Sequence, residues 1–160
     1  MLREFATSVH LRIDRARAQD QMRASEERLR LGFEVANFSI AQIDYLSNEV
    51  HLSPDAAKLY GFGERATTVS RDRLHQQFHP DDRDFIEAHF ANGFAPDGGG
   101  RINLEHRVLI DPRQVRWVNI RKQVFFDHTK DPPRPIRGIL AAQDITSAKK
   151  SELAVRLSEE

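Results

Sequence analysis

The apolar positions of this chain change period twice. Over residues 1–35 they recur at Leu2, Phe5, Val9, Ile13 and Ala16, with Arg12, Asp14, Arg15, Arg17 and Asp20 between them. Steps of three and four make one stripe of a helix. Ser25-Glu26-Glu27-Arg28 offers a point of restart, but with Arg28 at its third position it is only half of a capping box. The stripe is narrow, so the arm predicts a partner helix, most simply the same arm of a second chain.

Between residues 36 and 146 the period shortens to two. Residues 39–45 read as a strand, 46–49 as a turn and 50–52 as the hairpin partner. Ser53-Pro54-Asp55 opens a short helix, with Ser53 as N-cap and Pro54 at its first position. Gly61 and Gly63 end it. Residues 71–77 give another helical turn. His79-Pro80-Asp81-Asp82 starts a longer helix through about Phe94, its acids suited to capping and to the positive end of the dipole. Residues 96–100 form a flexible turn. Residues 101–110 and 115–126 are long strands joined through Asp111-Pro112-Arg113-Gln114. A proline-rich loop at 131–135 leads to the last strand, 136–143. Two strands, then helices, then three strands give an α+β fold with an antiparallel sheet. From 147 to 160 the helical period returns, with Thr146 or Ser147 as the expected cap. The tail ends at Glu159-Glu160 without a helix stop signal and predicts a further effector domain.

Composition narrows the function classes. The 160 residues fit one domain with a real core. Lys+Arg and Asp+Glu balance at 24 each, so no basic surface points to nucleic acid. The absence of cysteine excludes disulfides, thiolate catalysis and Cys-ligated metals. No apolar run approaches the roughly 18 residues of a membrane span, and no signal peptide is present. A cytoplasmic location is the expectation.

The middle zone resembles a PAS domain over residues 25–150. Four stretches carry the resemblance: Ser53 to Phe62, Phe78-His79-Pro80-Asp81-Asp82, the hairpin from Glu105-His106-Arg107 to Arg116-Trp117-Val118, and Asp144-Ile145-Thr146. The resemblance implies a five-stranded antiparallel sheet with helices cupped over one face, a small pocket, and an input or relay role in histidine kinases and cyclic-dinucleotide enzymes. Two features depart from the pattern. Arg113-Gln114 replaces the usual hairpin glycine, and the Asn-Cys-Arg flavin motif is missing, which excludes a cysteinyl-flavin adduct.

Alternation puts Ile102, Leu104, His106, Val108 and Ile110 on one strand face, the more apolar one, so His106 points inward. A neutral histidine satisfied by internal hydrogen bonds is the expectation there. By the family comparison, Arg116, Val118, Ile120, Lys122 and Val124 also face inward, while Trp117 and Phe125 lie on the outer face and invite a cover. The candidate ligand pocket comprises Ala41, Ile43, Phe78, Phe90, Leu104, His106, Val118, Ile120, Leu140 and Ala142. Asp144 and Thr146 are the candidate relay, Asp144 accepting hydrogen bonds and Thr146 capping the exit helix.

No cofactor is expected. His89, on the long helix at the edge of the Ile86, Phe90 and Phe94 stripe, makes haem a minor possibility, and non-covalent flavin is another. His75 and His79, with Asp81 and Asp82, are poorly placed for a metal because Pro80 interrupts the helix. His106-Arg107-Val108-Leu109 lies in a strand and is no phosphoacceptor box, and Gly98-Gly99-Gly100 lacks a phosphate-loop lysine. The expectation is a non-enzymatic PAS sensor or relay module, homodimeric through the N-terminal helix and outer sheet face. It would belong to a multidomain protein, a sensor histidine kinase foremost. The alternatives are a cofactor-bound sensor and a ligand-free dimerisation scaffold.

Overall fold

A computed structural model describes residues 2–159, which divide after Asn37 into a helical unit and a sheet unit. In the first unit, α1 (Leu2–Val35) is one uninterrupted helix with no buried residue. The expected restart at Ser25 does not occur. Ser25 is not followed by a glutamate or glutamine at its third position, and Arg30 instead pairs with Glu27 and Glu34 along the continuous helix.

The second unit is a six-stranded antiparallel sheet in the order β3-β2-β1-β6-β5-β4. Its strands are β1 (Phe38–Asp44), β2 (Glu49–Leu52), β3 (Thr67–Ser70), β4 (Arg101–Asp111), β5 (Gln114–Asp127) and β6 (Arg134–Asp144). Three helices follow β2: α2 (Pro54–Tyr60), α3 (Arg71–Gln76) and α4 (Arg83–Phe94), the last preceded by a 3-10 turn at Pro80–Asp82. The chain closes with α5 (Thr146–Ser158). The sixth strand corrects the expected five. β3 is four residues long, with only Val69 buried, so its pattern is too short to register as a strand. Pairing with β2 (Val50 opposite Val69) holds it at the edge.

Local signals explain the helices. Ser53 accepts the Ala56 N–H, and Gly61, at φ 80°, ends α2 in the left-handed region where glycine costs least. Ser70 accepts the Arg73 N–H and starts α3. Arg116, expected to face inward, is half-buried. It donates to the carbonyls of Lys58 and Leu59 at 2.6 and 2.8 Å, a cation at the negative end of α2.

The core lies between the helices and one sheet face. It joins Ala41, Ile43, Val50 and Leu52 to Ala56, Tyr60, Leu74, Phe78 and Ile86, and to the inward residues of β4, β5 and β6. Each large apolar side chain buried here contributes on the order of 1.5–3 kcal/mol. Gly93 is the point of closest approach of α4 to β4. A Cβ there would stand 2.4 Å from the Ile102 side chain. The first and last strands are neighbours, Phe38 standing opposite Gln143.

Candidate functional site

The ten candidate pocket residues come together, but as a packed core. Nine are buried, and Phe90 packs against them. Phe78 and Phe90 also line a cleft of 250 Å³ between α3 and α4, together with His75 and Ile86. Phe78 is fixed from behind: the His79 N–H donates to the Arg107 carbonyl and the Leu109 N–H to the Gln77 carbonyl, so this loop is stapled to β4.

His106 is 1% exposed, and neither ring nitrogen has a hydrogen-bond partner. This corrects the expectation of an internally satisfied imidazole. Its neighbours are apolar, with the Phe78 ring edge-on at 5.0 Å. Burial drives its pKa down to about 4, against a small opposing pull from Asp82, so the ring is neutral. His75, stacked on Phe78 at 5.0 Å, is also lowered to about 4, by burial first and then by Arg71 and Lys122.

Lys122 is the residue whose importance alternation alone does not reveal. It is 7% exposed, within the buried series Val118, Ile120 and Val124. Its Nζ lies 4.4 Å from the centre of the Phe90 ring, 5.5 Å from Tyr45 and 5.6 Å from Phe94. Burial lowers its pKa to about 7, and the Arg71 charge adds to the effect. Tyr45, one of these rings, has a hydroxyl that is buried without a partner. The sequence signal was a lysine in an otherwise apolar period-two series.

The relay candidates meet at the start of α5. Asp144 Oδ1 accepts the Thr146 N–H at 2.9 Å and its hydroxyl at 2.5 Å. The Thr146 hydroxyl in turn accepts the Trp117 N–H at 3.0 Å, and the Ile145 N–H donates to the Trp117 carbonyl. Thr146 is therefore not the helix cap. It is the first helical residue, its hydroxyl is consumed by Asp144 and Trp117, and the preceding Ile145 makes no side-chain cap.

Beyond the junction, Lys149 of α5 pairs with Glu105 of β4 at 2.5 Å and lies 5.1 Å from the Trp117 ring centre. Arg107 approaches the same ring at 5.5 Å. Trp117 on the outer face is thus covered in part by α5, while Phe125 remains 37% exposed beneath Arg137.

Asp82 was expected to cap α4, but it makes no cap bond. Its carboxylate accepts the backbone N–H, Nε and Nη2 of Arg107, at 2.8, 3.1 and 2.6 Å. Burial opposes ionisation of Asp82, but these bonds outweigh it and hold the carboxyl below its usual range. His79 accepts the Asp81 N–H and caps the 3-10 turn. His89 is partly exposed, with Nδ1 2.9 Å from the Phe85 carbonyl oxygen. No cluster of three metal-ligating side chains occurs among the described residues. Nor is any of the described helices long and apolar enough to cross a membrane.

Comparison with known proteins agrees with this geometry. No curated protein matches. Among solved structures, a sensory box histidine kinase/response regulator from Burkholderia thailandensis is 23% identical, with TM-score 0.68 over 82% of this chain and 95% of the other. The N-terminal domain of a diguanylate cyclase with PAS/PAC sensor from Marinobacter aquaeolei is 16% identical, with TM-score 0.55 over 70% and 98%. The PAS domain of a protein from Colwellia psychrerythraea is 15% identical, with TM-score 0.53 over 76% and 97%. At these identities the likeness is one of fold. The sequence model of the PAS fold matches residues 49–137, more than half of the chain. The chain belongs to the PAS-fold family.

Proposed function

We propose that this chain is a cytoplasmic sensor or relay module of a multidomain signal-transduction protein, a sensor histidine kinase foremost, and that it works as a homodimer through α1 and the outer sheet face. It performs no chemistry of its own. Its signal leaves through α5 toward a downstream effector.

The junction is the observation that carries this reading. Asp82 at the head of α4 grips Arg107, Arg107 and Lys149 flank Trp117, and Trp117 shares Thr146 with Asp144. An unbroken series of contacts runs from the helices beside the cleft to the first turn of α5. A shift of α4 relative to β4 would change the strain at Trp117 and so bias the orientation of α5, a population shift between two arrangements.

The test uses the multidomain protein that carries this chain. Asp144→Ala with Thr146→Ala is expected to alter both basal and stimulated output. Unchanged output in both conditions discards the relay. Trp117 is the chain's single tryptophan, so its fluorescence should shift in Lys149→Ala. An unmoved spectrum would separate the junction from α5.

A further inference from the structure

We propose that Lys122 anchors a binding site for a small organic monoanion, a carboxylate on an apolar body, reached through the cleft between α3 and α4. The proposal goes beyond the relay reading and does not depend on it.

Charge supplies the first part of the argument. Lys122 is 7% exposed, and among the described residues no carboxylate comes within ion-pair distance of its ammonium. Its surroundings are the rings of Phe90, Tyr45 and Phe94. Rings compensate a cation in part but supply no counter-charge. The charge that acts on it has the same sign: Arg71 stands 4.8 Å from the Tyr45 ring centre, turned to the Asn48 side-chain oxygen. A buried cation without an anion is unfavourable. A methionine at this position would continue the apolar series and remove the penalty. The lysine therefore makes sense as half of a pair whose other half comes from outside the chain.

Hydrogen bonding adds a second, independent sign. The Tyr45 hydroxyl, on a ring of the Lys122 cage, is buried and donates to nothing. A carboxylate accepts from both an ammonium and a phenol. His106 contributes two more unpartnered nitrogens behind Phe78. Two polar side chains without partners in one core, Tyr45 and His106, depart from what buried polar groups normally show.

Access and size complete the argument. Phe90 is shared: one of its surroundings is the cleft, another is the Lys122 ammonium at 4.4 Å. Rotation of this one ring would join the two. The 250 Å³ cleft suits a small molecule, and Phe78, Ile86 and Phe90 suit an apolar body. Asp72, Glu87 and Arg83 line the cleft, one net negative charge that disfavours polyanions. One uncompensated positive charge balances one negative charge, and a second would lie buried without a partner.

The test titrates the chain calorimetrically with benzoate and with benzamide, its neutral isostere, and follows thermal unfolding in each. Benzoate is expected to bind and raise the midpoint, with benzamide weaker by about tenfold or more. In Lys122→Met, the unliganded protein should unfold at a higher temperature than the parent and lose its preference for benzoate. Titration of Lys122 Nζ followed by nitrogen NMR should move to higher pH when benzoate is present. Equal binding of benzoate and benzamide overturns the proposal, as does undiminished benzoate binding by Lys122→Met. So does failure of benzoate, phenylacetate and hexanoate alike to raise the midpoint at millimolar concentration. If Lys122→Met does not fold, the NMR titration decides alone, and an unmoved Nζ overturns the proposal. These measurements read binding and not output, so their failure leaves the relay reading standing.

Discussion

Arg107 on β4 and Lys122 on β5 are cations on adjacent strands with opposite surroundings. Arg107 faces a carboxylate that it meets three times, and its guanidinium lies near the Trp117 ring. Lys122 meets only rings. The first cation joins three elements and is satisfied in the chain as it stands. The second has only aromatic rings around it and no carboxylate in ion-pair distance among the described residues. A charge with its partner in place is part of the scaffold, whereas a buried charge without one marks a position selected for something other than stability.

The sharpest way to break this contrast is Lys122→Met. Displacement of the Lys122 pKa from 10.5 to about 7 corresponds to an upper bound of about 5 kcal/mol. We expect urea unfolding at neutral pH to show a gain of about 2–5 kcal/mol. The unfolded chain holds more protons than the fold between pH 7 and 10.5, so the stability of the parent should rise with pH through that window. In Lys122→Met that rise should disappear. A loss of stability in the variant would mean that the rings satisfy the ammonium fully.

His106 tests whether an unpartnered neutral group behaves like the unpartnered charge. Its folded pKa, about 4, lies below the 6.5 of the free side chain. The unfolded state therefore takes up the proton first, and stability is lost as pH falls from 6.5 toward 4. The expected loss is about 3 kcal/mol, with a similar share from His75. His106→Leu should remove its own share of that slope and leave that of His75. A slope identical to the parent's would place the titration elsewhere.

The smallest effect belongs to the satisfied pair. Asp82→Asn should cost about 1–3 kcal/mol, because Arg107 keeps its exposed edge and water can replace part of what is lost. A double-mutant cycle with Arg107→Met should give a favourable coupling. Additive effects would show that the pair adds nothing beyond its two members.

What the sequence made legible follows from how local each signal is. Ser53 and Gly61 act within one helix, and both lie where their chemistry requires. The period-two series of β4 spans ten or so residues and identified its inward face, His106 included. On β5 the period split the residues into two faces, and the PAS resemblance chose the inward one, with Lys122. β3 escaped notice because four mostly polar residues carry no period of their own and depend on β2 for pairing. Asp82 looked like a cap because its partner, Arg107, lies 25 residues away and only the fold brings the two together. Thr146 was misread for a similar reason, since the competing donor, the Trp117 N–H, comes from another strand. The cage around Lys122 draws rings from β1 and from α4, which no spacing along β5 can foretell.

The pairing of Phe38 with Gln143 sets an order of events during synthesis. β1 is made first among the strands, yet the neighbour on its β5 side is β6, made last. Until β6 emerges from the ribosome, β4 and β5 can form a hairpin, and β1, β2 and β3 a separate ribbon, with no strand to join them. Closing roughly a hundred residues of intervening chain is the slow kind of step that non-local pairing imposes. The nascent protein therefore carries two unsealed strand edges until its last strand is translated, and it is then most exposed to mispairing with a neighbouring chain.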